Sequence, residues 1–307
     1  MNYYYPNLFL IGGMRCGSTA LHLLLEQHDE INMSSRKEPY YFNAELKRQK
    51  LYNKYCKELE EDLNSYVKKG KYRTTDKYIS LFDNSRNYKY RGESSHYIYS
   101  PDTATIIKKK SPQSKIIISV RNPIDRMYSE YLYHSRIEGQ SKLDFGSYVN
   151  DNLKLFKLGM PTRLTKGLYN DSIFHWIKIF GEDNVKIIIY EEFEKDQQKV
   201  LSEIYNWLNL LPSKINNLTP QKTGKIRFVK LFYFINSSTF IKSSLKIVLS
   251  KKNRIKFRSF FYSILIRKKK KSDISISVKK QLLDLYRDDI FALGKLLKKD
   301  MSFWLEI

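Results

Sequence analysis

The sequence predicts an α/β fold, a P-loop-type parallel sheet flanked by helices on both faces, as a single domain over 1–307 with a basic helical C-terminal region. Three observations carry that expectation. Apolar runs of strand length alternate with longer segments of helical spacing. The first run ends in a glycine-bearing turn that leads straight into a helix, the layout that cradles an anion. Apolar content of 42%, with 12 Gly and 8 Pro in 307 residues, suffices for one large core.

Asn7 to Ile11 reads as the first strand and Ser18 to about His28 as the first helix, with Leu21, Leu24 and Leu25 on one face. Between them Gly12 and Gly17 keep the spacing of a nucleotide loop, but Ser18 stands where a kinase or ATPase carries lysine. The loop's one basic residue, Arg15, sits earlier and suits a shorter donor with a terminal anionic group. The stretch 44–89 is polar and rich in Tyr and Lys, and reads as an insertion over the sheet; Leu51, Tyr55, Leu59 and Leu63 give it its best helical segment. Tyr88 to Glu93 is a second strand and Lys115 to Arg121 a buried one. A helix follows at once, capped by Asn122, with Pro123 in its first turn and Ile124, Met127, Tyr128, Tyr131 and Leu132 on one face. Leu143 to Leu158 and Lys166 to Phe180 are further helices, the second ended by Gly181, with Tyr169, Trp176 and Phe180 in the core. Val185 to Tyr190 is a buried strand, about Asp196 to Leu208 a helix, and Pro212 to Gly224 a loop. Two short helices are expected between Lys225 and Lys271, then a last helix from Ser277 to Lys298.

The net charge of +23 is unevenly spread. Between Glu203 and Asp273 lie 69 residues with 17 Lys or Arg and no acidic side chain. Such a block is a footprint for polyanions or an anionic surface. Its apolar clusters, flanked by cations, have the character of an interfacial helix in peripheral contact with an anionic membrane. It lacks the aromatic platform or groove-reading helix of a nucleic-acid fold, so no specific nucleic acid is expected as partner. Two cysteines, Cys16 and Cys56, make no disulfide framework, and no metal-ligand set is evident, so no metal is expected. No apolar run reaches bilayer length and the first residues have no basic n-region, so a cytoplasmic location is expected.

Arg121 sits at the carboxyl end of a buried strand, where doubly wound sheets bind ligands. Ser129 lies two turns up the next helix, so the pair can grip one phosphate from two sides. Arg126, between them, reads as a structural salt-bridge residue. Glu38 precedes Pro39, which keeps it extended. Lys225 and Arg227 open the basic block beside Gly224.

In these segments the sequence resembles the sulfotransferase family that uses 3′-phosphoadenosine 5′-phosphosulfate (PAPS), above all bacterial members and the sulfotransferase domains of heparan-sulfate modifying enzymes. The anion loop resembles the family's 5′-phosphosulfate loop, and Arg121 to Tyr131 its 3′-phosphate signature. Lys37-Glu38-Pro39 resembles the segment that supplies its catalytic base. The resemblance continues through Lys166 to Tyr169 with Trp176, Tyr190 to Phe193, and Asp300 to Trp304. It implies that Arg15, Cys16, Gly17, Ser18, Thr19 and Ala20 hold the 5′-phosphosulfate. Arg121, Ser129 and Arg227, with Lys225 nearby, would hold the rest of the donor. Glu38 would take the proton of a carbohydrate or glycolipid hydroxyl (or amine), and Arg15 would stabilise charge on the bridging oxygen, without magnesium. Gly92 to His96 departs from the family pattern, which usually carries proline there; Glu93 and His96 stand as reserve bases. Two other readings stay open: a P-loop kinase, supported by the Glu191-Glu192 pair, and a polyanion- or membrane-binding module with a relict nucleotide loop.

Overall fold

The computed structural model describes residues 5–43, 74–85, 87–137, 144–213, 224–226, 266–268 and 274–306. Five short strands build the sheet: β1 (Leu8–Leu10), β2 (Ile31–Met33), β3 (Tyr90–Ser94), β4 (Lys115–Val120) and β5 (Val185–Ile189). They are all parallel, in the order β2-β3-β1-β4-β5. β1 is central, with Leu8 paired to Gly92 on one side and to Lys115 on the other.

Alternation along each strand feeds two cores. Leu8, Leu10 and Ile117 face α1 (Ser18–Leu25) through Leu21, Leu24 and Leu25, and α8 (Gln197–Trp207) through Leu201 and Ile204. Phe9, Ile11, Ile116, Ile118 and Val120 face the other way. There they meet α4 (Pro123–Ile137), α6 (Asn170–Phe180) and α9 (Ile276–Leu297), with Trp176, Tyr286 and Trp304 fully buried among them. Asn122 caps α4 as its position predicts, its side-chain oxygen accepting the N–H groups of Ile124 and Asp125 at 3.0 and 3.3 Å. Gly181 ends α6 at φ 85°, where any other residue is strained.

Four parts of the fold differ from the sequence expectation. Strand β2 is too short to show a pattern of its own. Two helices were not foreseen: α3 (Thr103–Lys110), whose last turn is three lysines, and α7 (Tyr190–Lys195), which follows β5 without a break. The helix expected from Lys166 starts instead at Asn170, after a 3-10 turn at Thr165–Gly167, because Asp289 of α9 accepts the N–H groups of Tyr169 and Asn170 at 2.8 and 3.1 Å. The last part of the expected insertion is core and not cover. Helix α2 (Thr75–Ile79) buries Tyr78, and Leu81 and Phe82 follow it into the cluster of Tyr41 and Phe42. The segment 51–63 lies outside the described residues.

Of the basic block only the two ends are described. Gly224–Ile226 (β6) and Ile266–Lys268 (β7) are antiparallel strands, with Lys225 opposite Arg267, a pairing that the sequence reading does not include. Pairing between such distant segments is a tertiary event with no local signature. The two helices expected between them fall outside the described residues. Helix α5 (Phe145–Lys157) matches its expected position, capped by Asp144.

Candidate active site

The chain leaves β1 for β2 and β3 on one side and returns to β4 on the other. The carboxyl ends of β1 and β4 are therefore the switch point of the sheet, where a crevice opens. Because every strand runs the same way, the segments after β1, β2, β3 and β4 gather at this one edge.

The loop after β1 is shaped by two glycines for different reasons. A Cβ on Gly12 would collide with Ser119 of β4, so only glycine lets the loop pass. Gly17, at φ 82°, turns the chain into α1 as its N-cap and brings no side chain to close the helix start. The first N–H groups of α1 are thus aimed at the crevice, with the positive end of the helix behind them. Cys16 is fully buried, packed on the Tyr169 hydroxyl; burial pushes its thiol up to about 11, so it is a packing residue.

Arg121 and Ser129, which the sequence pairs, are linked through Arg15, which the sequence assigns to the 5′-phosphosulfate side of the loop. Arg15 Nε donates to Ser129 Oγ at 3.1 Å, and its guanidinium lies 5.0 Å from the centre of the Tyr133 ring. Arg121 Nη1 donates to the Arg15 carbonyl at 3.3 Å, and its own guanidinium sits 4.4 Å from the centre of the Tyr190 ring. Burial, and then the charge of Arg121, pushes the Arg15 guanidinium below its ordinary pKa. Asp125, 3.9 Å from Arg121, is a distant counter-ion, and Arg121 Nε is buried without a partner. Two adjacent cations with an orphan donor are what an anion completes.

Glu38 corrects one expectation. It is not extended but left-handed, at φ 60°, and Tyr40 at φ 52° follows it. The proline rule is overridden because the Glu38 N–H is drawn to the Ser94 carbonyl of β3 at 2.8 Å. Its carboxylate is then gripped from three sides. Lys37 Nζ donates to Oε1 at 2.9 Å, His96 Nε2 lies 3.2 Å from the same oxygen, and the Tyr40 hydroxyl donates to Oε2 at 3.4 Å. The His96 hydrogen bond, opposed by partial burial and reinforced by Lys37, holds the carboxyl at about 2. Glu38 is therefore a carboxylate throughout the neutral range.

Lys37 is the site residue that sequence reasoning missed. Its ammonium donates to Ser18 Oγ and Thr19 Oγ1, each at 3.0 Å, as well as to Glu38. The lysine that Ser18 replaces in the sequence is supplied in space by the segment after β2. Recognising β2 as parallel to β1 was the signal that would have found it.

The remaining candidates divide. Glu93 is fully buried, accepting from the Tyr78 and Ser95 hydroxyls, and burial raises its pKa; as a sealed core group it is no reserve base. Glu191 accepts the Asn122 N–H and the Trp304 indole, and Glu192 pairs with Lys299, so the pair that favoured a kinase is structural. Arg126 is the structural ion-pair residue expected, 2.7 Å from Glu130 with both fully buried. Lys225 lies in β6, whose backbone alone is described, and Arg227 falls outside the described residues. Among the described residues no group of three or more His, Cys, Asp or Glu is placed to hold a metal, and no helix is long and apolar enough to cross a membrane.

The chain is similar to known proteins in sequence and in fold. Human carbohydrate sulfotransferase 15 is 24% identical over 248 residues, which cover 67% of this chain and 44% of that protein. The mouse bifunctional heparan sulfate N-deacetylase/N-sulfotransferase 4 is 27% identical over 234 residues, 71% of this chain and 24% of that protein. The chain therefore spans less than half the length of these relatives. A sulfotransferase from Alicyclobacillus acidocaldarius shares the fold, with a TM-score of 0.68 and 22% identity over 99% of this chain and 100% of that one. A mouse sulfotransferase solved with PAP superposes at a TM-score of 0.50, 20% identical over 95% of this chain and 88% of that one. The Sulfotransferase domain family matches residues 5–299, and the chain belongs to that family.

Proposed function

We propose that this protein moves a sulfuryl group from PAPS to a hydroxyl or amine of a carbohydrate. One observation carries the reading. Lys37 ties the loop hydroxyls of Ser18 and Thr19 to the Glu38 carboxylate, so the anion cradle and a proton acceptor form one hydrogen-bonded unit. The donor's two anionic ends fit two clusters. Lys37, Ser18, Thr19 and the start of α1 suit the 5′-phosphosulfate; Arg121, with its orphan Nε, Ser129 and Arg15 suit the 3′-phosphate.

In the transfer, an acceptor oxygen or nitrogen forms a bond to sulfur as the bond from sulfur to the bridging oxygen breaks. Glu38 takes the acceptor's proton. Lys37 and the loop N–H groups stabilise charge growing on the bridging oxygen, an effect typically worth roughly 3–4 kcal/mol per donor. Arg15, turned toward Ser129, shares that task only by swinging its side chain back. His96 has two acceptors to serve, the Gly12 carbonyl at 2.8 Å and Glu38, and so orients the carboxylate.

Adenosine 3′,5′-bisphosphate (PAP) is expected to raise the melting temperature, and ADP, which lacks the 3′-phosphate, far less. Equal stabilisation by both would remove Arg121 and Ser129 from the 3′-phosphate. His96→Gln is expected to let the Glu38 pKa climb back toward its ordinary value. The acid limb of kcat/KM against pH then moves upward; an unmoved limb would deny His96 its hold on the base.

A glycolipid acceptor, met by the 225–271 block at the cytoplasmic face of an anionic membrane, extends the reading. Its support is the run of cations without acids. Co-sedimentation with anionic vesicles is expected to weaken with salt and with Lys268 to Lys271 changed to serine. Protein left in the supernatant at low salt would end this extension.

A further inference from the structure

A cavity of about 620 Å³ opens beside the donor loop, lined by Tyr99, Thr162, Arg163, Lys166, Tyr169 and Ser172 among others. Its inner wall is shared with that loop. The Tyr99 hydroxyl accepts the Met14 N–H at 2.8 Å, and Lys166 Nζ lies 3.4 Å from Met14 Sδ, one residue before Arg15. On its other flank the Tyr99 ring is 6.4 Å from that of His96, which touches Glu38. Tyr99 and Lys166 thus join the cavity to the donor loop, and Tyr99 stands next to His96, which contacts the base.

Its charge is set by a buried carboxylate. Arg163 Nη1 and Lys166 Nζ reach the same oxygen of Glu130, at 2.6 and 3.2 Å, and Arg126 holds the other at 2.7 Å. Burial pushes the Glu130 carboxyl up, but Arg126, Lys166 and the Arg163 hydrogen bond outweigh it and hold the carboxyl at about 2. Three cations on one carboxylate leave a surplus of positive charge. Arg126 is sealed, so the surplus is presented by Arg163 and Lys166, whose side chains are 35% and 27% exposed. Glu130 pins both in place before any ligand arrives, which lowers the ordering cost of binding. Beside them lies the face of Tyr99, 5.5 Å from the Lys166 ammonium, with the hydroxyls of Thr162 and Ser172 in the wall. A neutral sugar entering here replaces water with hydroxyl acceptors but brings no counter-charge to the two cations; an acidic one supplies it.

We propose that this cavity is the acceptor subsite for an acidic sugar, whose carboxylate or ester sulfate is held by Arg163 and Lys166 while its ring lies against Tyr99. Its role as an acceptor subsite rests on the sulfotransferase reading; its affinity for an acidic sugar does not.

The test is calorimetric titration of the full chain, saturated with PAP, using three tetrasaccharides. One contains glucuronate, the second is its carboxyl-reduced counterpart, and the third is that neutral sugar bearing one sulfate ester. Either acidic form is expected to bind roughly tenfold or more tightly than the neutral one, and whichever binds better identifies the natural oxyanion. Arg163→Gln and Lys166→Gln should each remove most of that preference while Arg163→Lys retains much of it. Unfolding midpoints near that of the unaltered chain show that the pocket is intact, since each single variant leaves Glu130 two of its cations. Equal affinity for all three sugars, or a preference surviving in both glutamine variants, overturns the proposal. Absent PAP binding with the acid preference intact would instead sink the sulfotransferase reading and leave the anion site standing.

Discussion

Replacing Glu38 with glutamine is expected to lower turnover by roughly 10²–10⁴-fold while PAP affinity stays near that of the unaltered protein. Glutamine keeps the length of the side chain, and its carbonyl still accepts from Lys37 or His96. What it loses is the ability to take a proton. The left-handed backbone at Glu38 is set by the Ser94 carbonyl, which the substitution does not touch. Single-turnover rates and PAP titration separate the two effects. Near-normal turnover would pass the role to His96, which contacts Glu38 directly. The same group has a signature in stability. Its folded pKa is depressed to about 2, so its contribution is present above the ordinary carboxylate range, near about 4.3, and is lost as pH falls toward 2.

Glu130→Gln is expected to destabilise the fold by about 3–5 kcal/mol, the usual consequence of removing one partner from a buried pair. Arg126 is fully buried, and among the described residues no carboxylate but Glu130 lies within ion-pair distance of it. It keeps a bond from Nη2 to the Arg163 carbonyl at 2.7 Å, but a carbonyl does not neutralise a charge. Urea unfolding measures the loss directly. Replacing both residues with apolar ones of similar volume should recover much of it, since the desolvation of two charges is then removed as well. A loss under about 1 kcal/mol, typical of exposed pairs, would mean that water reaches Arg126.

What the sequence disclosed follows from the range of the forces involved. Strands β1, β4 and β5 and the cap of α4 announce themselves because their signals are local: apolar runs, Asn122 before Pro123, Gly181 after Phe180. The anion loop was legible for the same reason. The left-handed turn at Glu38 was not, since it depends on a hydrogen bond to β3, a strand reached only after the chain has run through a long intervening segment. Lys37 was hidden likewise, because its approach to Ser18 and Thr19 requires β2, three residues with no pattern, to lie parallel to β1. Glu191 and Glu192 misled in the opposite sense. An acidic pair after a strand has the look of metal chemistry until Asn122, Trp304 and Lys299 are seen to occupy it.

The central position of β1 governs how the molecule comes into being. Leu8 pairs with Gly92 and with Lys115, so this strand is synthesised long before either neighbour exists. During translation its apolar side chains wait unpaired, and the rate of folding is limited by the closure of long loops. Nascent chains are thus a natural client for chaperones over this interval. No fragment ending before Val120 brings the four reactive segments to one edge. Capture of the donor for that reason reports that β1 to β4 have come together, and a labelled nucleotide would follow refolding of that part of the sheet, not of any one motif within it.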